Sequence, residues 1–330
     1  MQEEDMVGKE LISIVVPVYN ETDGIEEFYR RTTAAAESML EMDHELVFVD
    51  DGSRDGSFRK LQALAQKDDR VVVLKFARNF GHQIAITAGL DVARGECVVV
   101  IDSDLQDPPE VIPRMVDQWR AGYDVVYGVR SRREGESALK LLTATMFYRL
   151  LRRATNIEIP VDVGDFRLMS RRALEQLKGM RESDRFVRGL VSWLGFQQTG
   201  VEYERAARFA GETKYPYRKM LKFAIDGITS FSTLPLKLAS LIGYCASGLS
   251  FLALLAMFPL KWLGYTISGW ASIMVGMFFL GGVQLVCLGI MGEYIGRIFM
   301  EVKKRPLYVV EQEVRSLVPR TREVPVVVTV

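Results

Sequence analysis

Two long stretches without charge near the C-terminal end limit what this chain can fold into. No Asp, Glu, Lys or Arg occurs from Leu238 to Leu260 or from Trp262 to Gly292, and only Lys261 separates the two stretches. Each is longer than the roughly 20 helical residues that cross a hydrocarbon core of about 30 Å. The sequence therefore predicts two membrane-spanning helices; two buried helices of a large soluble core are the alternative.

Basic residues on the outer flanks predict the orientation of this hairpin. They precede the first span and follow the second, whereas the connecting loop holds only Lys261. The flanking residues are Arg218, Lys219, Lys222, Lys237, Arg297, Lys303, Lys304 and Arg305. By the positive-inside rule, both chain ends face the cytoplasm of a multi-pass protein of the inner (plasma) membrane. The polar, acidic start MQEEDMVGKE has no signal-peptide pattern.

An amphipathic segment precedes the first span. From Tyr217 to Leu234, apolar side chains recur every three or four positions, and basic side chains lie mostly between them. This pattern predicts a helix with one apolar face, lying in the membrane interface. Packing of that face on the rest of the protein is the alternative.

Composition excludes several other classes. The chain has 330 residues, enough for about two structural units. Its 42 Lys and Arg residues balance its 42 Asp and Glu residues, so no overall positive field attracts nucleic acid. The three cysteines, Cys97, Cys245 and Cys287, lie far apart in apolar runs, which favours neither a disulfide framework nor a zinc site.

The first 130 residues alternate short Val/Ile-rich runs with amphipathic stretches. The predicted strands are Leu11–Pro17, Leu46–Asp50, Val71–Phe76, Cys97–Asp102 and Asp124–Gly128, and the predicted helices are 22–41, 55–66, 81–93 and 109–120. Such alternation indicates an α/β fold with a mostly parallel sheet and flanking helices. Ligands bind at the carboxyl ends of the strands in sheets of this kind.

Acidic side chains cluster at those predicted strand ends. Asp102, Asp104 and Gln106 offer hard oxygen ligands of the kind that Mg²⁺ or Mn²⁺ binds, with the phosphates of a nucleotide completing the shell. Capping of the helix that begins at Asp107-Pro108-Pro109 is the alternative. The run from Asp50 to Ser53 is equally compatible with a plain strand-to-helix turn. No GxxxxGK[ST] or GxGxxG motif is present, which argues against P-loop and Rossmann chemistry.

Several motifs together resemble one known family. They are SIVVPVYNE (13–21), VDDGSRDGS (49–57), ARNFGHQIAITAG (77–89), VIDSDLQDPPEVIP (100–113), DVGDFRLMSRRAL (162–174) and GEYIGRIFMEVKKRPLYVV (292–310). The chain resembles glycosyltransferase family 2 in its polyprenyl-phosphate branch, close to the bactoprenol glucosyltransferases and related to dolichol-phosphate mannose synthase. The resemblance implies a metal-dependent GT-A enzyme. It would transfer one sugar with inversion, such as glucose from UDP-glucose, to undecaprenyl phosphate. The absence of a QxxRW motif favours a single transfer over polymer synthesis.

The resemblance also implies roles for individual residues. The nucleotide sugar would be bound by Pro17, Tyr19, Asn20, Glu21, Asp50, Asp51, Asn79, Gln83, Asp102 and Ser103. The metal would be bound by Asp102, Asp104 and Gln106, and the acceptor phosphate by Arg130, Arg133, Arg208 and Lys214. The catalytic residues would be Asp104 and Asp165. For Asp165 three roles stay open: positioning of the sugar or an arginine, a general base, or a structural pair with Arg167 or Arg171. Positioning is favoured because a phosphate monoester with a second pKa near 6 is largely dianionic at neutral pH.

The predicted organisation has four segments. A cytoplasmic GT-A domain (1–215) precedes the interfacial helix (216–235), the two spans (236–292) and a cytoplasmic tail (293–330). Glycines in the spans favour close helix association, and relatives suggest a homotetramer. Mannosyl or amino-sugar transfer, or a non-catalytic scaffold or flippase component, are the alternative functions.

Overall fold

The computed structural model describes residues 9–130, 163–183, 185–205, 234–263 and 269–315. These residues divide into two compact units: 234–263 and 269–305 form the second, and all the others form the first. Three predicted phosphate-binding residues, Arg133, Arg208 and Lys214, lie outside the described residues. The predicted amphipathic helix lies outside them as well, up to residue 233.

An eight-stranded sheet forms the centre of the described first unit. The strands are β1 (Glu10–Val18), β2 (Met42–Asp50), β3 (Val71–Phe76), β4 (Cys97–Val100), β5 (Val125–Arg130), β6 (Val163–Ser170), β7 (Gln198–Tyr203) and β8 (Val310–Val314). Their spatial order is β7-β5-β6-β4-β1-β2-β3-β8. Only β6 and β8 run against the other strands, which confirms the mostly parallel sheet.

Helices flank this sheet. They are α1 (Ile25–Glu37), α2 (Ser57–Lys67), α3 (His82–Val92), α4 (Ile112–Arg120, after a 3₁₀ turn at Pro109–Val111), α5 (Arg171–Gly179) and α6 (Val187–Trp193). On one face, Val16 and Phe48 join a core with Phe28 of α1. Successive strand residues point to opposite faces, so the neighbouring Val15 meets α3 on the other side. There Gly89 is required, because a Cβ at this position would lie 2.3 Å from Val15 Cγ1.

Strand β6 was not predicted from the sequence. All eight of its residues are buried, including Asp165 and Arg167. Charged residues in a buried strand interrupt the apolar pattern by which strands are recognised. The strand brings both charges into the layer between the sheet and its helices.

Strand β8 was not predicted either, and it adds an antiparallel edge to β3. Four of its five residues are exposed, so its sequence VEQEV carries little apolar pattern. Tyr308, just before the strand, stacks on Phe76 with ring centroids 5.3 Å apart. Its hydroxyl donates to Asp91 Oδ2 at 2.8 Å, and Arg181 Nη1 donates to both oxygens of the same carboxylate at 2.8 Å.

The second unit contains two long helices, α7 (Leu234–Trp262) and α8 (Trp270–Val302). The Cys287 thiol of α8 donates to the Ala239 carbonyl of α7 at 3.4 Å. Many of the described apolar side chains are exposed, among them Leu241, Leu285 and Ile295. Within the described residues, one segment, Phe279–Val302, is long and apolar enough to cross a membrane. The pairing of two spans stays a prediction.

The Tyr308–Asp91 hydrogen bond allows a test of how β8 is held. Tyr308→Phe keeps the stacked ring but removes the donor, so we expect the free energy of unfolding to fall by about 1 kcal/mol. Chemical unfolding of the purified protein measures this difference. Tyr123→Phe is the matched control, because the Tyr123 hydroxyl makes no hydrogen bond to any residue the structure describes. Equal losses in the two variants would contradict the prediction.

Candidate active site

The loops after β1 and β2 form one side of the candidate site. Backbone amides of the first loop donate to side chains of the second: Asn20 N to Ser53 Oγ and Glu21 N to Ser57 Oγ, both at 3.0 Å. In return, Arg54 N donates to Asn20 Oδ1 at 2.9 Å. Asn20 has φ 54°, a left-handed conformation that Asn tolerates better than most residues. The two loops thus fix each other beside the Tyr19 side chain, which is 47% exposed.

The buried Asp51 braces the loop that leads into α3. Its two carboxylate oxygens accept the backbone N–H groups of Phe80 at 2.6 Å and Gly81 at 3.0 Å. Burial raises the pKa of Asp51, and the two amides oppose that rise. Gly52, with φ +73°, allows the loop to come this close, since a Cβ there would lie 2.8 Å from Asn79 N. Both carboxylate oxygens are therefore already engaged.

The neighbouring Asp50 is completely buried at the end of β2. Its Oδ1 accepts from Ser53 N at 3.2 Å, while its Oδ2 has no hydrogen bond within the described part of the chain. Burial raises the pKa of Asp50. Two further predicted site residues are also buried: Pro17 near the end of β1 and Ser103 in the loop after β4.

The loop after β4 carries the predicted metal ligands. Leu105 adopts φ 59°, a conformation that is rare for a branched side chain, and it is held there by burial of that side chain in the core. The turn lets Gln106 N donate to Asp104 Oδ1 at 3.1 Å. The Gln106 side chain, however, accepts a hydrogen bond from Arg205 Nη2 at 2.6 Å.

The Asp165 carboxylate is the centre of the site. Its Oδ1 accepts from Arg188 Nε at 2.9 Å, and its Oδ2 accepts from Gln83 Nε2 at 3.2 Å and from His82 Nε2 at 3.3 Å. His82 Nε2 also lies 3.5 Å from Asp102 Oδ1. The histidine thus stands between two carboxylates, one from β6 and one from the loop after β4.

This arrangement sets the protonation of the three groups. Burial opposes ionisation of Asp165, but Arg188 and His82 outweigh it and hold the pKa of this carboxyl well below its usual range. Burial alone would lower the pKa of His82, yet the hydrogen bond to Asp165 and the charge of Asp102 raise it to about 9. Burial, together with the neighbouring carboxylates, raises the pKa of Asp102 to about 6. These directions favour a protonated His82 beside an ionised Asp165.

Asp102 has the features expected of a cation ligand. Its buried Oδ1 has no hydrogen bond among the described residues, and the charge of His82 offsets only part of the cost of burial. A bound metal cation would stabilise the ionised carboxylate further. Across the described ranges, no three His, Cys, Asp or Glu side chains form a metal site by themselves. Asp102 and Asp104 fit the one or two carboxylates through which Mg²⁺ usually binds when phosphate oxygens supply further ligands.

Arg130, at the end of β5, lies in a second polar cluster. Its Nε donates to Tyr203 Oη at 3.4 Å, and its Nη2 lies 3.6 Å from Asp107 Oδ1. The Tyr203 hydroxyl in turn donates to Asp107 Oδ1. Gly164 makes room for the guanidinium, because a Cβ there would lie 2.7 Å from Arg130 Nη2. Asp107 and Tyr203 thus fix the direction in which Arg130 points.

Four residues of these clusters were not predicted from the sequence as site residues: His82, Asp107, Arg188 and Tyr203. His82 lies at the start of the predicted helix 81–93, which follows the predicted strand Val71–Phe76, so its position after a strand end was a usable signal. Tyr203 ends β7, a strand that was not predicted from the sequence. Arg188 lies 23 positions from Asp165, and no spacing rule connects the two.

Comparison with known proteins identifies the family. A family model described as glycosyl transferase family 2 matches residues 13–178, and the chain belongs to this family of glycosyltransferases. It is 54% identical over 301 residues to an uncharacterised glycosyltransferase, YkcC, of Bacillus subtilis (strain 168), covering 91% of this chain and 93% of the relative. It is 45% identical over 307 residues to the bactoprenol glucosyl transferase of Shigella phage SfII, covering 92% and 99%.

Among solved structures, the chain is similar to a mannosyltransferase of Pyrobaculum calidifontis, determined in complex with GDP-Man and Mn²⁺. The TM-score is 0.44 and the identity 18%, over 86% of this chain and 88% of that chain.

The close approach of Arg130 to Gly164 yields a prediction about turnover. In Gly164→Ala the new methyl group displaces the end of the flexible Arg130 side chain, so we expect the fold to remain stable while glycosyl transfer falls roughly 10- to 100-fold. Thermal unfolding and initial rates measure the two effects. Gly179→Ala is the control, because a Cβ there meets nothing within 4 Å. Wild-type rates in Gly164→Ala would show that the direction of Arg130 is unimportant.

Proposed function

We propose that this protein transfers a single glucose from UDP-glucose, with inversion, to undecaprenyl phosphate at the cytoplasmic face of the membrane. The main support for this proposal is the 45% identity to a bactoprenol glucosyl transferase. The similarity covers 92% of this chain and 99% of the relative, a span that includes the apolar helices. A second relative, from Escherichia coli (strain K12), is named as a prophage homologue of the same enzyme and is 44% identical.

The donor site proposed here lies at the carboxyl ends of β1, β2 and β4. The exposed Tyr19 ring offers a stacking surface for the base, and the loops that carry Asn20 and Glu21 are already fixed by the β2–α2 loop. Asp51 contributes by holding the loop that contains Asn79 and leads to Gln83 in α3, rather than through a free oxygen.

A divalent cation, Mg²⁺ or Mn²⁺, completes this proposal. Asp102 and Asp104 would hold it, and it would neutralise charge on the diphosphate as the bond to the sugar breaks. Gln106 was predicted as a third ligand. Its side-chain oxygen accepts one hydrogen bond from Arg205, which leaves its second lone pair for a metal.

The acceptor side of the proposal needs no general base. A phosphate monoester is largely dianionic at neutral pH, so its oxygen can attack without losing a proton. Arg130 supplies a guanidinium suited to phosphate, and Arg133, Arg208 and Lys214 remain predicted partners of the same group. Asp165, whose oxygens accept from three side chains, serves in this account as an anchor that positions its neighbours.

The membrane part of the proposal combines the predicted hairpin with an interfacial helix that brings the site near the lipid headgroups. The apolar character of Phe279–Val302 supports a span there. Both termini would be cytoplasmic, and association of the hairpins into a homotetramer would bury glycine-containing helix surfaces.

A donor panel decides between this function and its alternatives. Purified protein is incubated with undecaprenyl phosphate, Mg²⁺ and UDP-glucose, or with GDP-mannose or UDP-linked amino sugars in its place. Glucosyl lipid formed only with UDP-glucose is the expected result. Preference for another sugar would revise the donor, and no lipid product with any donor would favour a non-catalytic scaffold.

Substitution of Asp104 tests the metal. Asp104→Asn keeps an oxygen that can accept from Gln106 N but loses the charge, so we expect turnover to fall at least about 100-fold. Calorimetry with UDP should show weaker binding in Mg²⁺ and equal binding of variant and wild type in EDTA. Asp117→Asn, on the exposed side of α4, is the control. If the variant binds UDP more weakly in EDTA as well, Asp104 contacts the nucleotide directly or supports the fold.

A further inference from the structure

The contacts of Arg188 join α6 to β6 at one buried carboxylate. Its Nε donates to Asp165 Oδ1 at 2.9 Å and its Nη1 donates to the Val163 carbonyl at 3.1 Å, both on β6. The planar guanidinium therefore makes two hydrogen bonds to the same strand. Asp165 Oδ1 accepts from no other side chain in the described part of the chain.

Gln83 closes the connection from the other side. Its Oε1 accepts the backbone N–H of Val187, the first residue of α6, at 3.0 Å, while its Nε2 donates to Asp165 Oδ2. The carboxylate is thus bonded to α3 through Gln83 and His82 and to α6 through Arg188. Arg188 and His82 therefore contact the two oxygens of the same carboxylate, and His82 Nε2 also lies 3.5 Å from Asp102 Oδ1.

The charges explain why this contact matters. Asp165 is only 9% exposed, and a buried carboxylate that loses its cation partner is strongly disfavoured as an anion. Arg167 is also buried on β6, but it donates to the Gly164 carbonyl at 2.9 Å and makes no described hydrogen bond to Asp165. Burial lowers the pKa of Arg167 to about 10, so it stays protonated at neutral pH without replacing the bond from Arg188.

We infer that Arg188 is a positioning residue for glycosyl transfer: it fixes Asp165, and Asp165 fixes His82 and Gln83 against the Asp102 side of the site. The inference rests on the proposed function, because it assigns this geometry to the transfer step. A positioning residue differs from a residue that binds substrate. Loss of Arg188 should therefore slow the reaction more than it weakens donor binding.

Steady-state kinetics of Arg188→Ala and Arg188→Lys test the assignment. For Arg188→Ala we expect kcat to fall roughly 10- to 100-fold, the range seen when partners that orient a ligand are lost, with the donor KM changed less than about threefold. Arg188→Lys keeps the charge but not the fork and should recover part of the loss. Added guanidinium should raise the rate of Arg188→Ala in a saturable manner and leave wild type unchanged.

Arg172→Ala is the matched control. The Arg172 guanidinium also donates two hydrogen bonds to one carboxylate, from Nη2 to Asp124 Oδ2 at 2.5 Å and from Nε to Asp124 Oδ1 at 3.2 Å, but this pair lies at the opposite end of the strands. It should retain wild-type kcat. Wild-type kcat in a folded Arg188→Ala would overturn the assignment. If that variant does not fold, Arg188→Lys decides: wild-type kcat there overturns the assignment, and a reduced kcat supports it.

A readout independent of turnover separates this inference from the proposed function. The chain has two histidines, so the His82 ring can be followed by ¹⁵N NMR. Arg188→Ala should shift the His82 Nε2 resonance, and Arg172→Ala should not. A shift without any turnover of wild type would refute the proposed function and leave the contact network intact; an unmoved resonance would refute the positioning role even in an active enzyme.

Discussion

The ionised, buried carboxylate of Asp165 is the constraint on which the site depends. An anion removed from water is tolerated only where charges and hydrogen bonds replace its hydration. Arg188, Gln83 and His82 do so, and each comes from a helix that must therefore keep a fixed place against β6. The same interaction that compensates one charge thus orients α3 and α6 around the ends of the strands.

The sheet supplies the rigidity that such a network needs. Strand β1 is buried on both faces. Helix α3 packs so close to it that there is no room for a side chain at position 89, which is glycine. Turns with left-handed residues, Asn20 and Leu105, then direct the loops at the strand ends. A site that is held by packed strands and paired loops is organised before any substrate binds, which is the general requirement for precise placement of reacting groups.

Much of this could be predicted from the sequence, because its apolar periodicity is regular. Strand β3 was predicted with its observed bounds, and the acidic residues after β4 were recognised by their position at a strand end. Strand β6 was not predicted because its buried charged residues, Asp165 and Arg167, give its sequence the polar character of a loop. The Tyr203–Asp107 contact joins positions 96 apart and Arg188–Asp165 joins positions 23 apart, so they became visible only in three dimensions. The roles of Arg133, Arg208 and Lys214 stay predictions, because these residues lie outside the described ranges.

A titration of His82 tests the central claim most directly, because its pKa reports the two carboxylates that flank it. We expect ¹⁵N NMR to give a pKa near 9 for His82 in the wild-type protein. We also expect that pKa to fall in Asp165→Asn, because the neutral amide no longer favours the histidinium. A wild-type value near the ordinary 6.5, or a value that Asp165→Asn leaves unchanged, would contradict the claim that an ionised Asp165 organises the site.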